Sequence, residues 1–141
     1  MLVKYWMSKP VITVDVNDNM QNAMKLLKQH DISMLPVMKK GRLVGIVTDR
    51  DLKKASASDA TSLEILELQQ LISTIKVKDI MTKEHITIPL DYTVEETAQV
   101  LLKHKISGVP VIDNEGDMVG AITQTDIIRL LISLTDRKSV V

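Results

Sequence analysis

The sequence predicts an α/β (α+β) fold made of two βαββα repeats in tandem, and three observations carry that expectation. The chain is written twice: aligning Met7 with Met81 pairs Ile12-Thr13 with Ile86-Thr87, His30 with His104, Ile32-Ser33 with Ile106-Ser107, and Pro36-Val37 with Pro110-Val111. After one inserted residue near Glu115, Gly41 meets Gly116, Val44-Gly45 meets Val119-Gly120, and Thr48 and Asp51 meet Thr123 and Asp126; that makes 15 identities over 46 aligned positions. Within each copy, short β-branched runs alternate with apolar stripes at helical spacing. The 141 residues are 45% hydrophobic and 26% charged, enough apolar surface for a core that needs no disulfide or metal.

Each copy opens with a β-branched run, Val11-Ile12-Thr13-Val14 or His85-Ile86-Thr87-Ile88, which predicts an extended segment. Asp18 or Asn19, and Thr93, are N-caps for the helices that follow. Met20, Ala23, Met24 and Leu27 make the apolar stripe of one, and Val94, Thr97, Ala98, Leu101 and Leu102 that of the other. Leu35-Pro36-Val37-Met38 and Val109-Pro110-Val111-Ile112 are extended again, with proline near the strand start. Lys40-Gly41 and Asn114-Glu115-Gly116 are turns into Leu43–Val47 and Met118–Ile122. Thr48 and Thr123 then open a closing helix. The organisation expected is repeat 1 over 1–60, a linker helix over 61–76, repeat 2 over 77–135 and a tail over 136–141.

The linker is polar from Lys53 to Ser62 and aliphatic after it. Thr61 and Glu64 have capping-box spacing, and Leu63, Leu66, Leu68, Leu71, Ile72 and Ile75 put one aliphatic face on about four helical turns. That face either packs on its own module or helps to bury a homodimer interface.

Composition removes several function classes. Eighteen basic residues balance eighteen acidic ones, where nucleic-acid and acidic-membrane binders need a positive surplus. Three aromatics (Tyr5, Trp6 and Tyr92) make no stacking platform for single strands. No cysteine means no disulfide, thiolate catalysis or cysteine-based metal site, and no apolar run reaches membrane-spanning length. A soluble, cytoplasmic protein is expected.

The chemistry concentrates in Gly45-Ile46-Val47-Thr48-Asp49-Arg50-Asp51 and its echo Gly120-Ala121-Ile122-Thr123-Gln124-Thr125-Asp126. A hydroxyl at a helix N-cap with a carboxylate three residues on is, taken alone, a capping box. The same geometry offers phosphate-binding N–H groups at the helix end and a carboxylate that accepts hydrogen bonds from a ribose diol. Both roles are compatible. Ile32-Ser33-Met34-Leu35-Pro36 and Ile106-Ser107-Gly108-Val109-Pro110 each place main-chain groups without ladder partners ahead of a proline, suited to reading a purine edge.

With these motifs in duplicate, and with Asp79-Ile80-Met81-Thr82 opening the second copy, the chain resembles a tandem pair of cystathionine-β-synthase (CBS) domains, the Bateman module, over about residues 5–133. The aliphatic linker and the Ile75–Thr82 segment resemble the acetoin-utilisation-type subgroup, whose members often continue into an amino-acid-binding ACT domain; this chain is expected to be either a stand-alone module or a truncated one. The resemblance implies two repeats related by a pseudo-two-fold axis with two clefts between them. Carried over by motif, one cleft joins Thr48 and Asp51 to Thr82, Ile86, Ile106, Ser107, Val109 and Pro110, with Arg50 beside the phosphate. The other joins Thr123 and Asp126 to Ser8, Ile12, Ile32, Ser33, Leu35 and Pro36. It further implies an adenosine-containing regulatory ligand (AMP, ADP, ATP or S-adenosylmethionine), no required cofactor, no catalysis and a homodimer of pairs. The alternative is a nucleotide-free dimerisation or scaffold module.

Arg50, Lys53 and Lys54 cluster at the first Thr-x-x-Asp, where the second has Gln124, Thr125 and Arg129, so the Asp51 side is expected to hold a phosphate more tightly. Lys9 and Lys83 are placed to add charge to either. His30 and His104 sit where a histidine complements a helix C-terminus, and the three separated histidines make no metal cluster.

Overall fold

The computed structural model describes the backbone of residues 1–59 and 64–139, and their side chains apart from 56–59 and 136–139. Two compact units form: residues 12–85, and residues 1–11 together with 86–141.

In the first unit, β1 (Val14–Asp15), α1 (Met20–Gln29), β2 (Met34–Lys39), β3 (Arg42–Thr48) and α2 (Asp49–Asp59) follow in the expected order. The sheet order is β1-β2-β3, with β1 parallel to β2 and β2 antiparallel to β3. Asn19 caps α1, accepting from the Asn22 N–H at 2.8 Å. Met20, Ala23 and Leu27 turn the α1 stripe onto Leu35, Val37 and Val47 of the sheet, whose alternate residues share that face. Lys40 and Gly41, both at positive φ, make the two-residue hairpin turn.

The opening strand is shorter than its β-branched run. Val14 and Asp15 alone form the ladder, opposite Val37 and Met38, because Pro36 has no N–H and the parallel pairing begins after it. On the other flank Pro36 faces Ile46, whose N–H and carbonyl both point away to Thr82 (3.0 and 2.8 Å). Proline therefore sits in a central strand without orphaning a partner.

The linker helix α3 (Ile65–Thr74) is shorter than the four turns expected, and Glu64 is its N-cap without a side-chain cap bond; Thr61 and Leu63 lie outside the described residues. It packs on α1, with Ile72 and Ile75 against the unit core, while Ile65 and Leu66 stay exposed. A single turn, α4 (Val77–Ile80), follows and buries Val77 completely.

The second unit repeats the plan with β4 (Ile88–Pro89), α5 (Val94–His104), β5 (Gly108–Ile112), β6 (Met118–Thr123) and α6 (Gln124–Ser139), in sheet order β4-β5-β6. Thr93 and Glu96 complete a capping box on α5. Ile88, Leu101, Val109, Val111 and Ile122 form its core with Val3, which comes from the beginning of the chain. Asp113 closes the β5–β6 turn by accepting from the Glu115 and Asp117 N–H groups, each at 2.9 Å.

The opening segments are a further pair of equivalents. Residues 1–8 meet the second unit as 75–82 meet the first: Val3 and Val77 are wholly buried, Ser8 bridges Ala121, and Thr82 bridges Ile46. Val94 N–H donates to the Met1 carbonyl as Met20 N–H donates to that of Ile75, at 2.9 and 2.8 Å. The repeat thus runs back past Met7 to the start of the chain.

Candidate functional site

Thr48 ends β3 and Asp51 lies in the first turn of α2, so the strand-to-helix junction itself brings them together. The Asp51 Oδ2 accepts from the Thr48 N–H at 2.9 Å and its hydroxyl at 3.0 Å, and the Thr48 Oγ1 accepts in turn from the Asp51 N–H at 3.2 Å. This is the reciprocal cap that the spacing predicts. The second oxygen, Oδ1, faces the Thr82 hydroxyl at 3.3 Å. One oxygen is thus committed to the fold and the other turned toward a hydroxyl on the opening segment.

The second unit repeats the arrangement. Asp126 Oδ2 accepts from the Thr123 N–H at 2.9 Å and hydroxyl at 3.1 Å, and Oδ1 faces the Ser8 hydroxyl at 3.4 Å. Carboxylate oxygens accept two bonds each, so Oδ1 keeps capacity for an added hydroxyl. A sugar diol, which needs an acceptor for two O–H donors, suits that position.

Gly45 and Gly120 make room for the opening segments. A Cβ on Gly45 would lie 2.6 Å from the Met81 sulfur and 3.1 Å from the Thr82 carbonyl; one on Gly120 would overlap the Met7 sulfur. The glycine of each Gly-x-x-Thr-x-x-Asp therefore admits the methionine that precedes Thr82 or Ser8. The sequence pairs Met7 with Met81, and each also packs against the core of its unit.

Around Asp51 lies an open groove of about 550 Å³, lined by Lys54, Ala55, Ile75, Asp79, Ile80, Met81 and Thr82. Arg50 is exposed and is not among its lining residues. Lys53, expected to share the same phosphate electrode, instead lines a separate groove of about 880 Å³ between α1, α2 and α3, beside Asp49 and Ile32. Of the three neighbouring cations, Lys54 lines the Asp51 groove, as neighbouring residues on a helix point in different directions.

Among the residues expected around a purine, Ile12, Ile32 and Ser33 are partly exposed in the first unit, and Ile86, Ile106 and Ser107 in the second. Leu35 and Val109 are fully enclosed, and Pro36 and Pro110 are buried. Ser33 and Ser107 accept from the first helical N–H groups, those of Asp49 (3.3 Å) and Gln124 (2.8 Å), through their carbonyls.

His30 and His104 stand at the ends of α1 and α5 and are exposed; His85 Nδ1 lies 3.0 Å from the Lys83 carbonyl. No helix among the described residues is long and apolar enough to cross a membrane.

Comparisons with known proteins place the family and the fold. The family model for the CBS domain matches residues 3–58 and 77–133. The CBS domain pair of protein MJ0100, solved with 5′-methylthioadenosine and S-adenosyl-L-methionine, superposes with a TM-score of 0.78 at 37% identity, over 93% of this chain and 99% of that one. CBSX2, solved with AMP, gives 0.76 at 28% identity over 95% and 98%. In fold alone, the acetoin-utilisation-type protein AcuB of Vibrio cholerae gives 0.81 at 23% identity over 100% and 97%. Against larger enzymes the match is partial: the chain spans 23% of an L-aspartate semialdehyde sulfurtransferase and 22% of an inosine-5′-monophosphate dehydrogenase. With the motif set duplicated, each acid capped alike and both copies matched, the chain belongs to the CBS-domain family as a tandem pair.

Proposed function

We propose that this protein is a non-enzymatic regulatory module that binds adenosine-containing small molecules at its two Thr-x-x-Asp centres, in the cytoplasm. The observation that carries the reading is the split use of each aspartate. Oδ2 is held by the helix cap, and Oδ1 is presented, beside a hydroxyl, at a partly exposed position. Arrangements of this kind in two copies suit two ribose diols. The MJ0100 pair with S-adenosyl-L-methionine and 5′-methylthioadenosine, and CBSX2 with AMP, support the ligand class. No cofactor is required by the reading. Thr82 and Asp51 lie on separate segments, as do Ser8 and Asp126, so a ligand that bridges them favours the arrangement holding the segments in place, and such differential affinity is what a switch needs.

Isothermal titration with AMP, ADP, ATP and S-adenosylmethionine tests this, with Asp51→Ala/Asp126→Ala as control. Micromolar binding by at least one ligand, lost in the double variant, is the expected result. A folded protein that ignores every ligand would overturn it.

A second reading, association of two copies, is favoured by the exposed apolar side chains of α5 and α6: Leu102 is 79% exposed, Leu131 62%, Ile128 55% and Ile132 53%. Apolar surface so concentrated on two neighbouring helices marks an interaction face. A homodimer through this face is compatible with ligand binding; with empty sites it becomes the scaffold alternative.

A further inference from the structure

The two centres carry the same hydroxyl and carboxylate but differ in charge. Lining the Asp51 groove are two carboxylates, Asp51 and Asp79, and one ammonium, Lys54. The equivalence of the opening segments assigns a counterpart to each. Thr82 corresponds to Ser8, Ile80 to Trp6 and Asp79 to Tyr5, while Lys54 corresponds to Arg129 on α6. The position that holds a carboxylate in the lining of the Asp51 groove is thus a tyrosine in the segment that carries Ser8. Tyr5 is exposed, with the Lys4 ammonium 5.1 Å from its ring centre. Lys78 and Lys83 have Lys4 and Lys9 at matching positions, so they do not separate the two centres. Arg50 and Lys53, the charges that favoured a phosphate at Asp51, do not line its groove.

The groove of about 550 Å³ has room beside Asp51 for the 5′ substituent of a bound ribose. A phosphate there meets one ammonium and a second carboxylate; a sulfonium or ammonium meets the carboxylate favourably. In the other copy Tyr5 stands at the position of Asp79, and Arg129, at the position of Lys54, is a planar, bidentate donor suited to phosphate. We infer that Asp79 is a specificity-determining residue, which makes the Asp51 groove prefer a cationic adenosyl ligand of the sulfonium type and leaves phosphorylated adenosine to the Asp126 centre. This rests on the adenosine reading above and reverses the ranking that charge counting along the sequence suggests.

The test isolates each centre. Asp126→Ala leaves the Asp51 groove and Asp51→Ala the other; Asn replaces Ala where loss of the helix cap prevents folding, since its amide oxygen still accepts at the cap. Each background is titrated with AMP, with S-adenosylmethionine, and with S-adenosylhomocysteine, which lacks only the sulfonium methyl and its charge. At the Asp51 groove, S-adenosylmethionine is expected to bind about 3-fold more tightly than S-adenosylhomocysteine, the size of an exposed charge pair. Asp79→Asn is expected to remove that margin and to move the S-adenosylmethionine to AMP preference about 10-fold toward AMP. Tyr5→Asp is expected to move the Asp126 centre in the opposite direction, toward S-adenosylmethionine. Raising salt should shrink all three differences. Ligands that bind with preferences untouched by Asp79→Asn would overturn the inference and leave the adenosine reading standing. Failure of every ligand to bind either centre would overturn both.

Discussion

Gly45 and Gly120 show how a single position can set the geometry of a site. Each lies in a sheet against a methionine from the opening segment, and a Cβ would meet the thioether. Gly45→Ala is expected to cost about 1–3 kcal/mol in urea denaturation, the usual range for overpacking. Adding Met81→Ala should recover part of that loss, because the side-chain clash goes while the 3.1 Å approach to the Thr82 carbonyl stays. A different outcome is expected at Thr97, the buried polar side chain of α5. Its hydroxyl donates at 2.9 Å to a Thr93 carbonyl that also accepts the Thr97 N–H at 3.0 Å. Thr97→Val therefore leaves no acceptor unpaired, and should change stability by less than about 1 kcal/mol. The Thr48–Asp51 cap was legible because both groups lie within one turn, and local spacing fixes them. The Met81–Gly45 contact spans 36 residues of chain, and no local pattern announces it.

The elements show the same divide. Helix starts at Asn19 and Thr93, the hairpin turns and the strand-helix-strand-strand-helix order all follow from short-range chemistry, and the structure has them. The opening strands are shorter than their β-branched runs, because what limits them is a proline in the neighbouring strand. The segment 1–6 was missed as a copy of 75–80: only Val3-Lys4 matches Val77-Lys78, and Tyr5-Trp6 stands where Asp79-Ile80 does. Yet Val3 and Val77 are both wholly buried. Val3→Asp is expected to unfold the second unit at markedly lower urea than the wild type, since it buries an unpaired charge. The segment also supplies a probe. Trp6 is the chain's one tryptophan and lies two residues from Ser8, so a ligand at the Asp126 centre should change its emission. The change should survive Asp51→Ala and vanish in Asp126→Ala.

For the molecule as a whole, charge balance and apolar surface govern behaviour. With eighteen charges of each sign and a pI near 6.8, solubility should be lowest near neutral pH and rise on either side, as turbidity against pH would show. Leu102→Lys combined with Leu131→Lys, both on the exposed α5–α6 face, is expected to halve the mass seen in sedimentation if that face joins two copies. An unchanged dimer would place the interface elsewhere. Ligand affinity at Asp51 should survive the same variant, because neither residue lines its groove. Tandem repetition makes the family legible from sequence, while Asp79 against Tyr5 and Lys54 against Arg129 distinguish the two copies at positions that the repeated motif leaves free.

The placement of residues 1–11 in a unit with 86–141 has a consequence for how the protein is made. As the chain leaves the ribosome, residues 12–85 form a complete unit once their last residue is clear. Val3 and Met7 emerge before them and have nothing to pack on until β5, β6 and the start of α6 follow. The earlier-synthesised segment is among the last to settle, and for the interval between its apolar side chains stay uncovered, the kind of sequence that chaperones hold.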